Sequence, residues 1–154
     1  MTAESAGAGP MTGPREAIVT DPQGVDGHVY VWDHAEPRAV VHVSHGVGEH
    51  AGRYAHVARR LHDAGYAVVA DDHRGHGATG VGHLGLGELG KGSHHAVFDA
   101  VEAVAREART WYAPAPFVML GHSWGSSWPR SSSRAGRSCS TGSCCPGRRT
   151  RCPA

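Results

Sequence analysis

Cysteine is absent from the first 138 of the 154 residues, and all four cysteines fall in the last sixteen. They form neither a CxxC motif nor the Cys/His spacing of a zinc site, which argues against a structural metal. The first 17 residues lack the apolar core of a secretory signal, so a disulfide framework is not expected. No apolar run reaches the roughly 20 residues of a membrane span. These absences favour a soluble cytoplasmic protein without a transmembrane segment.

Acidic and large aliphatic residues are missing from residues 127–154. This segment contains seven Ser, six Arg, four Cys, three Pro and three Gly, and no Leu, Ile, Val, Phe or Met. Its six arginines leave a formal charge of −5 on residues 1–126, although the whole chain carries +1. Such a segment cannot bury enough apolar surface to offset the entropy of ordering it. We therefore expect a flexible segment over 1–15, a domain over 16–126 and a disordered tail over 127–154.

Nucleic-acid and metal binding are both poorly supported by the charge and histidine patterns. Trp128 is the one aromatic residue of the arginine-rich tail, and no nucleic-acid-binding motif accompanies it. The 13 histidines include no H-E-x-x-H motif and no clustered Cys/His spacing. Neither a nucleic-acid partner nor a metal ion is therefore expected.

Short apolar or β-branched runs alternate with amphipathic segments from about residue 17 onward. Buried or half-buried strands are predicted at residues 28–33, 39–45, 66–71 and 117–120. Apolar residues spaced i, i+3, i+4 and i+7 predict helices over 53–64 and 93–110. Ser93 is the expected N-cap of the second helix, and Gly65 the left-handed residue after the first. The alternation predicts an α/β fold, with a mostly parallel sheet covered by helices on both faces.

A glycine-flanked serine follows the last predicted strand directly, in the sequence Gly121-His122-Ser123-Trp124-Gly125. A serine on so sharp a strand-to-helix turn needs neighbours without Cβ atoms, because strand and helix approach closely there. The context predicts that Ser123 is a nucleophile. The alternative is a serine in an ordinary glycine-rich turn.

A second loop, HGVGEH at residues 45–50, also follows a predicted strand directly. A hydrolase that attacks an ester carbonyl must stabilise an oxyanion, which requires backbone N–H groups aimed at one point. We expect the turn of His45 and Gly46 to present the amide of Val47 as one such donor; the alternative is an ordinary glycine-rich turn. The amide of Trp124, directly after the serine, is the predicted second donor.

A third segment, DDHRGHG at residues 71–77, follows the next predicted strand, and a glycine-rich loop is expected over 72–92. HGVGEH, DHRGHG and GHSWG thus occur in this order, each after a strand. In this arrangement the chain resembles the α/β-hydrolase fold, and more narrowly its monoacylglycerol lipase and lysophospholipase branch. The similarity runs from about residue 28 to residue 126 and corresponds to the N-terminal part of such a fold, which is therefore incomplete.

The resemblance implies a serine hydrolase of carboxylic esters, acting on monoacylglycerol-like or lysophospholipid-like lipids without a metal or organic cofactor. Ser123 would form an acyl-enzyme that water then hydrolyses, and Val47 and Trp124 would be the oxyanion-hole amides. Four residues would support these motifs: His45, Gly46, Gly121 and Gly125. Four further residues would shape the adjacent loop without performing chemistry: Asp72, Arg74, Gly75 and His76.

The residues after Ser123 depart from this family pattern. A serine hydroxyl needs a histidine to take its proton and a carboxylate to orient that histidine. In α/β-hydrolases both follow the serine in the chain, yet no Asp, Glu or His follows Ser123 here. His122 is a poor substitute, because its side chain should point away from the serine Oγ. We expect the chain to be inactive alone; a complementing second chain or a non-catalytic binding protein with a basic tail are the alternatives.

A shift of the reading frame would also explain the composition after residue 126. The resemblance implies Ser-Phe-Leu-Ala at residues 126–129, and losing one T from TCC TTC CTG GCC yields the observed Ser-Ser-Trp-Pro. We therefore hypothesise that the tail is a frameshift product. The strand at 117–120 would then lack neighbours on one side, exposing apolar surface on a poorly stable fragment.

Overall fold

A five-stranded sheet organises the computed structural model, which describes residues 13–127. The strands are β1 (Arg15–Thr20), β2 (Asp26–Trp32), β3 (Val40–Ser44), β4 (Ala67–Asp71) and β5 (Phe117–Gly121). The helices are α1 (Ala55–Asp63), α2 (Gly77–Gly82) and α3 (His94–Trp111), with 3₁₀ turns at Ala51–Tyr54 and Ser123–Ser126. The expected flexible segment 1–15 overlaps β1 at Arg15. Residues 128–154 of the predicted disordered tail lie outside the described residues.

The sheet is mixed, with the order β1-β2-β4-β3-β5. β1 pairs with β2, and β2 with β4, in antiparallel fashion, whereas β3 pairs in parallel with both β4 and β5. The alternating pattern predicted a mostly parallel sheet, but β1 and β2 are joined by a short turn, which permits only antiparallel pairing. The parallel half brings the carboxyl ends of β3, β4 and β5 to one edge, where α/β proteins place their sites.

Helices cover both faces of the sheet, as the alternating pattern predicted. Val104 of α3 packs in a cluster with Val69 of β4. On the other face, Ala58 of α1 packs in a cluster with Val68. Because successive side chains of a strand point to opposite faces, neighbouring valines of β4 contribute to the two cores.

The end of α1 confirms the predicted left-handed glycine. Gly65 has φ +89°, and its N–H donates to the His62 carbonyl at 2.9 Å. The N–H of Tyr66 donates to the Leu61 carbonyl at 3.1 Å. These two bonds form a Schellman motif, which turns the chain sharply from α1 into β4.

Of two local predictions between β4 and α3, the continuous loop is wrong, and the N-cap is confirmed in position but not in its side-chain hydrogen bond. The expected glycine-rich loop contains α2, whose first turn is anchored by the Asp72 carboxylate accepting the Ala78 N–H at 2.8 Å. The Thr79 hydroxyl also accepts the His28 N–H at 2.8 Å, and these two bonds offset the low helix propensity of glycine. Ser93 does precede α3, but with φ 52° and without a side-chain cap hydrogen bond.

The strand β5 lies at the edge of the described sheet and pairs there with β3. The prediction of a buried strand is wrong, because Val118, Met119 and Leu120 are all exposed. The exposed apolar surface expected for a strand without further neighbours is present in the described residues. Among these residues, no helix combines the length and hydropathy needed to cross a bilayer.

Candidate active site

Ser123 lies on a sharp turn between β5 and a 3₁₀ turn. It is exposed and has φ 52°, a left-handed conformation that is uncommon for a residue with a side chain. A Cβ at Gly121 would overlap the Gly125 carbonyl, and one at Gly125 would overlap the Ser44 carbonyl. Both glycines are therefore required by the close approach of the turn to β5 and β3.

The loop after β3 packs directly against this serine turn. A Cβ at Gly46 would come within 3.2 Å of the Ser123 Cβ, and the His122 N–H donates to the Ser44 carbonyl at 3.1 Å. Val47 and Trp124 line one cavity beside the serine turn. The structure thus brings together the predicted nucleophile and the two residues predicted to donate to the oxyanion.

Glu49 connects the two loops, a role that the motif analysis did not assign. Its Oε2 accepts the Gly46 N–H at 3.1 Å and the Tyr54 hydroxyl at 2.6 Å, and lies 3.3 Å from His122 Nδ1. The hydrogen bond from Tyr54, followed by that from Gly46, lowers the pKa of Glu49 to about 2. A carboxylate ionised at neutral pH therefore holds the loop after β3 in place, with His122 beside it.

A buried carboxylate lies beneath the same loops, at the end of β4. Asp71 accepts hydrogen bonds from His42 Nε2 at 2.6 Å and from His73 Nδ1 at 2.8 Å, and all three side chains are buried. Burial alone would raise the pKa of Asp71, but the charge of His73 and the two hydrogen bonds hold it far below its usual range. Asp71 is therefore an ionised centre that joins β3 to β4.

The second ring nitrogen of His73 reaches the strand under the serine turn. Its Nε2 lies 3.1 Å from the His45 carbonyl oxygen and 3.2 Å from Ser44 Oγ. Ser44, His73 and Asp71 have the connectivity of a catalytic triad, yet all three are buried and no substrate can reach Ser44. His73 instead holds the His45 carbonyl, one of the two carbonyl groups against which Gly125 packs.

His45 shapes the loop after β3 through both of its ring nitrogens. Nε2 accepts the His73 N–H at 3.1 Å, so the proton lies on Nδ1, which donates to the Gly46 carbonyl at 2.7 Å. The ring stacks on that of His73 at 3.8 Å between centroids. Burial, followed by the charge of His73, lowers the pKa of His45 to about 4. His45 is thus a neutral structural group.

The segment after β4 makes structural contacts, in agreement with the expectation for this loop. Asp72 Oδ1 accepts a backbone N–H of the first 3₁₀ turn at 2.7 Å. Arg74 Nε donates to Asp21 Oδ2 at 2.6 Å in a buried ion pair. His76 Nε2 accepts the Gly48 N–H at 3.1 Å. Within residues 13–127, no group of three or more His, Cys, Asp or Glu side chains is arranged to hold a metal ion.

The low pKa of His45 predicts a pH-dependent stability. Between pH 6.5 and about 4 the unfolded chain binds a proton at His45 that the folded chain does not. Above pH 6.5 the free energy of unfolding should therefore contain the full stabilising contribution of neutral His45. It should fall by about 3 kcal/mol as the pH falls from 6.5 to about 4. Urea titrations at several pH values measure it.

The matched control is His56, an exposed residue of α1. His45→Asn should flatten the dependence of the unfolding free energy on pH between 6.5 and 4. His56→Asn should leave the wild-type slope in place. Equal slopes in the wild type and in His45→Asn would show that His45 is not the group responsible.

Comparison with known proteins identifies the family. Residues 35–132, more than half of the chain, match the family model described as serine aminopeptidase, S33. The chain belongs to this family. The resemblance to α/β-hydrolases is thereby confirmed, and the fold class with it.

The chain is also similar to several individual proteins. A protein named monoacylglycerol lipase, from Mycolicibacterium smegmatis, is 39% identical over 106 residues, which span 66% of this chain and 36% of that protein. Monoglyceride lipase of Homo sapiens is 37% identical over 89 residues, which span 58% and 28%. The crystal structure of a thermostable carboxyl esterase from Bacillus coagulans, in complex with glycerol, superposes with a TM-score of 0.68 at 30% identity. That match covers 75% of this chain and 38% of the esterase.

Proposed function

We propose that Ser123 is the nucleophile of a serine hydrolase that cleaves carboxylic esters of the monoacylglycerol or lysophospholipid type. The observation that carries the proposal is the left-handed turn at Ser123, held by two obligatory glycines against the loop of Gly46 and Val47. The names of the relatives, monoacylglycerol lipase and monoglyceride lipase, support the ester class. They give no support to the alternative of a non-catalytic binding protein.

In this mechanism the Ser123 oxygen attacks the ester carbonyl while a base removes its proton. The amides of Val47 and Trp124 donate to the carbonyl oxygen as it becomes negative, which lowers the barrier. The alcohol leaves, and water hydrolyses the acyl-enzyme in a second step. The base and its carboxylate would follow the serine in the chain, and residues 124–154 contain neither.

The proposal therefore has two parts for the 154-residue chain. Ser123 has a selective reactivity that comes from its position beside the oxyanion loop. Its reaction is slow, because removing triad members leaves only about 10³–10⁴-fold catalysis over water from the remaining groups. Substrate turnover at enzymatic rates is not expected from this chain alone.

Labelling with a fluorophosphonate, followed by mass spectrometry, tests the first part. The adduct should form slowly and at Ser123, and Ser123→Ala should remove it. Ser126→Ala is the matched control, because Ser126 lies in the same 3₁₀ turn and donates to the Ser123 carbonyl. Adducts spread over several serines, or adducts unaffected by Ser123→Ala, would contradict the proposal.

A further inference from the structure

The outer side of β5 is an open strand edge. Within residues 13–127, β5 is the last strand of the sheet, and its neighbour there is β3. At one end of the ladder between them, the Val40 N–H donates to the Pro116 carbonyl at 2.8 Å. At the other end, the His122 N–H donates to the Ser44 carbonyl at 3.1 Å. These two bonds determine which backbone groups of β5 face β3.

The backbone groups of β5 are divided between its two sides. Alternate residues of a strand direct their N–H and C=O groups to the same side. Val118 and Leu120 therefore direct theirs to β3, in line with the bonds at both ends of the ladder. The remaining residues of β5 direct theirs outward: Phe117, Met119 and Gly121. Such a row of donors and acceptors is a template on which another strand can pair.

The side chains of this edge are apolar and exposed. β5 contains no charged residue, and Val118, Met119 and Leu120 are 50%, 37% and 45% exposed. Val118 lies opposite Val41, which packs in the cluster on the α1 face of the sheet. Because side chains alternate along a strand, Val118 and Leu120 lie together on that face. Apolar, uncharged edge strands are the ones that associate with other strands.

The opposite edge of the sheet, β1, differs in charge. It begins with Arg15 and Glu16, and Arg15 Nε donates to Asp33 Oδ2 at 2.8 Å in an exposed ion pair. Charged side chains on an edge strand disfavour pairing with another chain. Ile18 of β1 is 51% exposed, but its strand lacks the uncharged apolar run of β5. Of the two edges, β5 is therefore the one suited to pairing.

The occupant of this edge is indicated by what the rest of the chain contains. Residues 1–12 and 128–154 include proline and contain no Leu, Ile, Val or Phe, so neither segment supplies an apolar strand. A second copy of β5 presents the same apolar side chains and the same outward-facing N–H and C=O groups. The formal net charge of +1 gives little repulsion between two copies.

We propose that the β5 edge is a homodimer interface, in which β5 pairs antiparallel with β5 of a second copy about a two-fold axis at Met119. This register joins all the outward-facing residues, Met119 to its own equivalent and Phe117 to Gly121. Val118 then lies opposite Leu120 of the second copy, and these side chains of both copies form one apolar cluster. A two-fold contact of this kind closes on itself and gives a dimer. The inference is independent of the proposed function.

Sedimentation equilibrium of the 154-residue chain at several concentrations tests the inference, with a reductant present because all four cysteines lie in the tail. A reversible equilibrium between monomer and dimer is expected. Val118→Lys should weaken the dimer at least about tenfold, because it places an ammonium group against Leu120 of the second copy. A chain that is monomeric at every concentration, or whose association Val118→Lys leaves unchanged, would overturn the inference.

Ile18→Lys is the matched control, because Ile18 and Val118 are about equally exposed on opposite edges of the sheet. It should dimerise within about twofold of the wild type, as expected for a distant site. Circular dichroism verifies that each variant folds. Loss of association in Ile18→Lys, with Val118→Lys unaffected, would place the contact on β1 and refute the β5 interface.

Two double variants test the register. Val118→Lys/Leu120→Glu sets each ammonium opposite a carboxylate of the second copy, whereas Val118→Lys/Leu120→Lys sets like charges opposite one another. The first should dimerise at least about tenfold more tightly than the second, and added salt should reduce this difference. Equal association of the two double variants would contradict the antiparallel register.

Met119→Pro tests the backbone pairing separately from the side chains. It removes an outward-facing N–H and leaves the ladder to β3 intact, and proline is tolerated on the open side of edge strands. The variant should be monomeric, with the circular dichroism spectrum of the wild type. A folded Met119→Pro variant that still dimerises as the wild type does would show that the contact does not use the β5 backbone. If proline unfolds the chain, the comparison of the two double variants decides the interface.

Discussion

Replacing Asp71 with asparagine should lower the free energy of unfolding by about 3–5 kcal/mol, which is the usual cost of removing one partner from a buried charged network. The carboxylate accepts one hydrogen bond from His42 and one from His73, and no solvent can replace it. An asparagine retains one acceptor but turns an NH₂ group toward a histidine N–H. One buried histidine donor is then left without a partner.

Chemical denaturation followed by circular dichroism measures this effect. Asp63→Asn is the matched control, because Asp63 ends α1 with an exposed side chain, and a surface change of this kind should stay within about 0.5 kcal/mol. If Asp71→Asn and Asp63→Asn unfold at the same denaturant concentration, the buried network contributes nothing to stability. Natural proteins are only marginally stable. A denaturation curve without a folded baseline, seen for Asp71→Asn and not for Asp63→Asn, would therefore also agree with the expected result.

Gly125→Ala should have an effect of similar size, about 3 kcal/mol or more, for a steric reason. The added Cβ would overlap the carbonyl groups of Ser44 and His45. These are backbone atoms fixed within the sheet and by His73, so they cannot move aside as a flexible side chain would. The serine turn must shift instead, which removes Ser123 from its place beside Gly46.

Gly82→Ala is the matched control for this substitution. Gly82 ends α2, and the nearest heavy atom to an added Cβ is His28 Nε2 at 3.9 Å. Alanine should be neutral there, or stabilise the protein by about 0.4–1 kcal/mol by restricting the unfolded chain. A Gly125→Ala variant as stable as Gly82→Ala would show that the turn tolerates a side chain despite the closeness of the Ser44 carbonyl.

The features that sequence could predict are those that depend on neighbours along the chain. Continuous apolar runs identified β3 and β4, which are buried along their whole length. The helical spacing of apolar residues identified α1 and α3, and both signals are local. Gly65 was predictable because its position follows from where α1 ends. The loops that carry Ser123 and Val47 were predictable for a related reason, because each contains a short motif directly after a strand, whereas the roles of the two residues stay predictions.

The features that sequence could not predict depend on contacts between distant segments. The Thr79 hydroxyl of α2 accepts the His28 N–H, a bond between residues 51 positions apart, whereas glycine content alone suggests a loop. Glu49 stands in a recognised motif, yet its contact with His122 joins residues 73 positions apart. The bond between His42 and Asp71 spans 29 positions and produces no local pattern. The antiparallel pairing of β2 with β4 also comes from the three-dimensional arrangement.

The role of Ser123 is tested by the rate at which it reacts with a fluorophosphonate, measured with and without imidazole. We expect slow labelling of the 154-residue chain and an increase of at least about tenfold with added imidazole, which supplies the base that residues 124–154 lack. Ser123→Ala should show neither reaction. Rapid labelling of Ser123 that imidazole does not accelerate would mean that the chain already activates its serine, and that no base is missing.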